Sequence, residues 1–247
     1  MNYKPLVFSL LFFMTFAIYL FFGIYTIFKS PRKKLNRLFF IINISLATWA
    51  FGFAMANPAS TMENALLWRR VSALGWTSIY SFLLHFLLIL TKDDKTPNPG
   101  YYLLHIPGLI NMLVFGIYGK MAIHQYRLLR SDYGWINVAV NNGWDIFFYI
   151  YYISYSLACL GLIWRERKRT SGKDYRQNTI IFNSILLALI LGSLTDIILN
   201  SILKGALPQM APIFTLIPIG AIYYSMRHYS LMDKKLDIGE EPILTHE

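Results

Sequence analysis

The chain opens with a long apolar run that contains no charged residue, residues 6–28, which read LVFSLLFFMTFAIYLFFGIYTIF. An α-helix needs about 20 apolar residues to cross the hydrocarbon core of a bilayer. The run is longer than the apolar part of a secretory signal peptide, about 7–15 residues, and basic residues rather than a small-residue cleavage site follow it. We therefore expect a membrane span that stays attached to the protein.

Six further apolar runs follow at intervals along the chain. The seven predicted spans are residues 6–28, 38–56, 71–90, 101–118, 144–164, 179–202 and 207–226. Pro107, Pro212 and Pro218 interrupt the fourth and seventh spans, which neighbouring helices can accommodate. The predicted fold is an all-α membrane protein, a seven-transmembrane helix bundle that leaves no room for a separate soluble domain.

Composition agrees with a membrane protein and excludes several other classes. Hydrophobic residues make up 55% of the 247 residues and charged residues 15%, whereas a soluble domain has about 25% charged residues. The 18 Phe, 17 Tyr and 6 Trp fit the aromatic belts of a bilayer interface. A single cysteine, Cys159, excludes a disulfide framework and a four-cysteine metal site.

The 23 basic residues predict the orientation, because Lys and Arg are retained on the cytoplasmic side. With the N-terminus outside and the C-terminus cytoplasmic, 16 of them fall inside and seven outside. The seven are Lys4, Arg69, Arg70, Lys120, Arg127, Arg130 and Lys204. The net charge of +10 is therefore read as a topology signal with attraction to anionic lipid, and no nucleic-acid partner is expected.

The longest predicted external connection is residues 119–143, rich in aromatic residues and asparagine. Long connections are often functional. The alternative is an amphipathic cap on the headgroups, with Ile123, Leu128 and Leu129 facing the lipid.

Polar residues inside the spans are the candidate binding residues, since ionisable groups in a bilayer are costly. Asp196 shares a helical face with Ser193 and Asn200 in the sixth span. This stripe is read either as a polar floor for an external ligand or as an interhelical hydrogen-bond site.

A second stripe lies on the fifth span, where Asp145, Tyr149 and Tyr152 follow one another at helical spacing, with Ser156 one turn further on. It can form a ligand wall next to the long external loop, or its tyrosines can belong to the interfacial belt.

A third group, on the third span, is read as structural. Ser78, Ser81 and His85 share a face, and a buried histidine is more often packed and hydrogen-bonded than a metal ligand. We expect no cofactor, no metal and no catalytic residue, because the chain has no phosphate-binding loop, no two-histidine metal motif and no nucleophile triad.

Several short motifs, taken in order, give a family resemblance. The residues that carry it are Asn36, Arg37, Leu38 and Phe39; Trp49, Ala50, Phe51 and Gly52; Trp68 and Arg69; Gly75 and Trp76; Leu84, His85, Phe86 and Leu87; Tyr175, Arg176 and Gln177; and Arg227, His228, Tyr229, Ser230, Leu231, Met232 and Asp233. In this order and spacing the chain resembles the seven-transmembrane N-terminal input region of bacterial sensor histidine kinases, a region also found ahead of PAS and diguanylate cyclase domains. The resemblance covers essentially residues 1–235.

The resemblance implies a multi-pass receptor of the bacterial inner (cell) membrane that passes an external or intramembrane signal to a cytoplasmic output domain of the same polypeptide. Residues 1–229 would be the sensor domain and 230–247 a connector. Because about 20 residues follow the last span without kinase or cyclase sequence, we expect the output domain to lie further along a longer chain. The input region itself is then not an enzyme, and His85 has an architectural role.

The expected partners are an unidentified small-molecule, lipid or peptide ligand, the lipid bilayer and a second copy in a homodimer. The candidates for signal output follow the last span directly: Arg227, His228, Tyr229 and Asp233. The alternative function is a small proton-coupled transporter or channel that uses Asp196.

Overall fold

The computed structural model describes residues 3–91, 100–120, 125–202 and 208–228 as a bundle of long helices with a small β-hairpin at one end. The α-helices are α1 Lys4–Lys29, α2 Lys34–Ala56, α3 Met62–Trp76, α4 Ile79–Thr91, α5 Gly100–Leu103, α6 Ile106–Asn111, α7 Gly143–Arg169, α8 Gly172–Ser193, α9 Leu199–Ile202, α10 Ala211–Phe214 and α11 Leu216–His228. Two π-helical segments, Met112–Ile117 and Leu194–Ile198, continue α6 and α8.

Local sequence explains where the central helices begin. The Thr61 hydroxyl accepts a hydrogen bond from the Asn64 backbone N–H (3.3 Å) at the start of α3. The Asn142 side chain accepts from two backbone N–H groups, those of Trp144 (2.9 Å) and Asp145 (3.2 Å), at the start of α7. Such caps satisfy helix N–H groups that have no partner within the helix.

Six helical stretches among the described residues are long and apolar enough to cross a membrane, so an all-α membrane bundle is confirmed. They are Lys4–Lys29, Lys34–Ala56, Met62–Thr91, Gly100–Ile117, Gly143–Arg169 and Gly172–Ile198. Residues 208–226 of the seventh predicted span belong mainly to α10 and α11, which are separated at Thr215. The seventh crossing and the orientation remain predictions.

The placement of Arg69 and Arg70 in a loop before the third span was wrong, while their assignment to the outer side stays a prediction. Both residues lie inside α3, which begins at Met62 because Thr61 caps it there. The third helical stretch therefore starts nine residues before the predicted span. Arg69 is 2% exposed, which places a cation in the interior of the bundle rather than in solvent.

Helix α2 lies at the centre of the bundle, packed between α1 and α3. Phe39, Ile42 and Ala50 of α2 are completely buried. Helix α1 buries one narrow stripe, and its other apolar side chains are exposed, as expected of a lipid-facing helix. The stripe consists of Phe12, Thr15, Tyr19, Gly23 and Thr26.

Of the two interpretations of residues 119–143, the amphipathic cap was wrong, because the segment contains an antiparallel hairpin of β1 Arg127–Ser131 and β2 Gly134–Val138. Leu128 is 5% exposed and packs against bundle residues such as Ala65 and Phe115 instead of facing lipid. Alternation along a strand explains the difference, since adjacent leucines must face opposite sides. Leu129 is accordingly exposed, and Ile123 lies outside the described residues.

Close contact between α2 and α3 gives a stability prediction. A Cβ atom on Gly75 would lie 2.2 Å from the Ser45 carbonyl oxygen and 2.7 Å from the Trp49 nitrogen, both backbone atoms. We predict that Gly75→Ala destabilises the protein by about 1–3 kcal/mol or more, the usual range for overpacking. The measurement is thermal unfolding of the purified protein in detergent.

The matched control is Gly161→Ala in α7, where nothing lies within 4 Å of the added Cβ. This variant should be as stable as the wild type or slightly more stable, since Ala favours a helix over Gly. Equal unfolding temperatures for the two variants would contradict the close approach of α2 and α3.

Candidate functional site

The bundle contains an internal cavity of about 210 Å³ that extends from beneath the hairpin toward its centre. Five of the six side chains predicted for ligand binding, which come from two different helical stretches, line this one cavity. They are Asp145, Tyr149, Tyr152, Ser193 and Asp196. Most of the remaining wall is aromatic or aliphatic, so the cavity suits a mainly apolar molecule that carries a few polar atoms.

Asp196 lines the cavity and also accepts hydrogen bonds from the start of α10. Its Oδ1 atom accepts hydrogen bonds from the backbone N–H groups of Met210 (2.7 Å) and Ala211 (3.1 Å) and from the Thr195 hydroxyl (2.8 Å). Asp196 lies in the π-helical segment Leu194–Ile198, an irregularity that is frequent at functional sites. One carboxylate therefore both lines the cavity and fixes the beginning of α10.

Asp145 likewise lines the cavity and accepts a hydrogen bond near the start of a helix, α7. It is 7% exposed, and its Oδ2 atom accepts from the Asn141 backbone N–H (2.7 Å). A carboxylate in the first turn of a long helix is also favoured by the helix dipole. Asp145 thus stabilises the helix start beside the cavity.

The two tyrosine candidates have different surroundings in the cavity wall. The Tyr152 hydroxyl pairs with the Ser193 hydroxyl at 2.6 Å, linking α7 to α8. Tyr149 is half-buried, and its ring contacts the neighbouring ring of Phe148. Asn200, the sixth candidate, lies in α9, and its side chain is outside the described part of the chain.

Sequence reasoning missed Arg69, which lines the same cavity from α3. Its Nη2 atom donates to the Trp135 carbonyl of β2 and to Asn57 Oδ1 (3.4 Å), and its Cζ atom lies 3.8 Å from the centre of the Phe53 ring. The Thr61 cap was the available signal, because it extends the third helix to include this arginine.

Tyr126 completes the attachment of the hairpin end to α3. Its hydroxyl donates to the carbonyl oxygens of Arg69 (3.3 Å) and Phe115 (3.0 Å). Burial raises the pKa of the Tyr126 phenol, so the hydroxyl stays protonated and remains a donor.

The predicted structural group lies away from the cavity. Ser78 donates to the Gly75 carbonyl (3.0 Å) at the break between α3 and α4, and Ser81 donates to the Leu104 carbonyl (2.8 Å). His85 Nδ1 lies 3.1 Å from His105 Nε2, a pairing between two helical stretches that sequence reasoning did not foresee.

Two of the four candidate output residues lie at the end of α11. Arg227 and His228 are exposed, and the His228 ring stacks on Tyr224 with centroids 4.1 Å apart. Tyr229 and Asp233 lie outside the described residues.

Long apolar helices around one partly polar cavity define a multi-pass membrane protein whose interior can accept a small molecule. A family model described as the N-terminal 7TM region of histidine kinase matches residues 7–234. The match covers most of the chain, so the protein belongs to this family and is a transmembrane input domain. No curated protein and no solved structure matches the chain.

The contacts of Asp196 predict a graded loss of stability. Asp196→Ala removes the acceptor for three donors and should cost about 0.5–2 kcal/mol, the usual range for a lost helix cap. Asp196→Asn keeps a carbonyl oxygen for the two backbone N–H groups and should cost less. Thermal unfolding in detergent measures both variants.

The control for this series is Asp132→Ala, which removes an exposed carboxylate paired with Lys4 at 3.7 Å. Exposed ion pairs contribute little, about 0–1 kcal/mol. If Asp196→Ala is no less stable than Asp132→Ala, the hydrogen bonds to Met210 and Ala211 do not stabilise the bundle.

Proposed function

We propose that this chain is the ligand-sensing input domain of a bacterial two-component receptor in the inner (cell) membrane. In this proposal the N-terminus and the hairpin are outside, the cavity receives an external or intramembrane ligand, and the chain passes the signal to a cytoplasmic histidine kinase or diguanylate cyclase. The family membership supports an input role. The observation that carries the proposal is the position of Asp196 between the cavity and α10.

The first step of the proposed signal path is the contact between Asp196 and α10. A ligand in the cavity meets the same carboxylate that accepts from Met210 and Ala211. Any change in the direction or charge of that carboxylate alters the hydrogen bonds that hold the start of α10. Binding and movement of the seventh span are then linked through one side chain.

The second step is the break between α10 and α11. The Tyr19 hydroxyl of α1 donates to the Pro212 carbonyl (2.7 Å) and pairs with the Thr215 hydroxyl (2.7 Å). Tyr19 is completely buried, so α1 holds the seventh span at the point where its helix is interrupted. Proline and a hydroxyl at one place favour a bend there.

The third step is transmission along α11 to Arg227 and His228 at its end. We propose two arrangements of α10 and α11, of which the ligand binds one more tightly. Only such a difference in affinity can shift the equilibrium between them. A homodimer would bring two such helices to the paired output domains.

The rival function, a proton-coupled transporter or channel, gives Asp196 a different role. It requires this carboxylate to exchange protons during transport, whereas three hydrogen-bond donors engage its Oδ1 atom. Solute flux in proteoliposomes that is lost in Asp196→Asn would favour the rival. Output control without flux would favour the receptor.

Basal output tests the proposed path without knowledge of the ligand. With a kinase output domain joined after the connector, Tyr19→Phe removes the hydroxyl that holds the break in the seventh span. A hydrogen bond contributes about 1 kcal/mol, so the balance between two arrangements should change about fivefold. The measurement is autophosphorylation in isolated membranes.

Asp196→Asn and Tyr149→Phe are measured beside it, and Tyr102→Phe is the control because Tyr102 is 76% exposed and does not line the cavity. The control should match the wild type. The signal path is wrong if Tyr19→Phe and Asp196→Asn, both folded and inserted, also give wild-type output.

A further inference from the structure

The residues that line the cavity indicate the chemistry of its ligand. The inference drawn from them rests on the proposed sensing function. We propose that the ligand is a small, singly charged carboxylate with an apolar body, and that the guanidinium of Arg69 binds its carboxylate. The supporting observations are the hydrogen bonding of Arg69, the other donors in the cavity wall, the charge around the cavity and its size.

Arg69 has unused donors although it is buried. Its Nη2 atom donates to Trp135 and Asn57, but Nε and Nη1 have no hydrogen-bond partner among the described residues. The side chain is 2% exposed and lines the cavity. Burying guanidinium donors without acceptors is costly, and a carboxylate oxygen is the acceptor that suits them best.

A second donor in the wall strengthens this reading. Trp49 lines the same cavity, and its indole N–H is buried and also has no partner within the part of the chain that the structure describes. Indole and guanidinium nitrogens can only donate. The buried Ser156 hydroxyl of α7 is unpartnered in the same sense and can donate as well. A ligand rich in acceptors therefore complements this wall.

The charges around the cavity limit the ligand to a single negative charge placed beside Arg69. Arg69 contributes a positive charge, and Asp145 and Asp196 contribute two carboxylates. Arg69 and Asp196 interact electrostatically, but within the described residues they do not form an ion pair. The two wall carboxylates repel a doubly charged phosphate monoester more strongly than a single carboxylate, which can pair with Arg69 alone.

The volume and lining limit the body of the ligand. An apolar cavity of about 150 Å³ accommodates benzene, so about 210 Å³ accommodates one aromatic ring or a short alkyl chain together with a carboxylate. Rings of Trp76, Tyr80 and Phe148 line the wall, and Trp76 meets Phe148 edge to face with centroids 4.7 Å apart. These rings suit an aromatic body.

The test compares each acid with its uncharged isostere. The probes are benzoate, phenylacetate and hexanoate, each paired with the corresponding amide, added to the purified chain in nanodiscs. Tryptophan fluorescence follows binding, since Trp49 and Trp76 line the cavity. We expect at least one acid to bind roughly tenfold or more tightly than its amide, as a charge-assisted hydrogen bond predicts. No preference for any acid over its amide would overturn the proposal.

Two variants test whether Arg69 causes the preference for acids over amides. Arg69→Lys keeps the charge but loses the planar fork, and it should reduce the acid-to-amide ratio at least severalfold. Arg70→Gln is the matched control, because Arg70 is the next residue of α3 and donates to the Gly116 and Ile117 carbonyls instead of lining the cavity. An unchanged ratio in a folded Arg69→Lys protein would also overturn the proposal.

The outcomes distinguish a failure of the proposed carboxylate site from a failure of the proposed sensing function. Acid binding that depends on Arg69 but leaves kinase output unchanged supports the carboxylate site and contradicts the proposed function. Output that responds to Tyr19→Phe together with equal binding of acids and amides contradicts the carboxylate site and leaves the proposed function standing.

Discussion

The hydrogen bonds from Met210 and Ala211 to the Asp196 carboxylate are the interaction on which the candidate site depends. Backbone N–H groups at the start of a helix have no partner within the helix and need an acceptor from elsewhere in the protein where water is excluded. Helix α10 obtains its acceptor from the neighbouring helical stretch. Because the same carboxylate lines the cavity, the cavity wall and the start of α10 form one structural unit.

The same physical requirement shapes the rest of the hairpin end. The Asp145 carboxylate satisfies an N–H group near the start of α7, and Arg69 satisfies the carbonyl of Trp135 in β2. Ionisable groups inside a membrane bundle are expensive and are found where they pair or line a cavity. Here each of the three hydrogen-bonds to a backbone group and lines the cavity, which concentrates charge around a mainly aromatic interior.

The helical spacing in the sequence predicted that Asp145, Tyr149 and Tyr152 share one face, and all three lie in the cavity wall. It did not reveal Arg69, since a search for uncharged runs ends a span at the first arginine. It also did not reveal the hairpin or the His85–His105 pair. Those features depend on contacts between distant segments, which local patterns do not contain.

Site-resolved amide hydrogen exchange of the protein in nanodiscs tests most directly whether cavity and seventh span are joined through Asp196. On saturation with a carboxylate that binds the cavity, the exchange rates of the Met210 and Ala211 amides should change by several-fold. The amides of residues 163–169, at the far end of α7 and not in the cavity wall, should keep their rates. Unchanged exchange at Met210 and Ala211 with the cavity occupied would contradict the coupling.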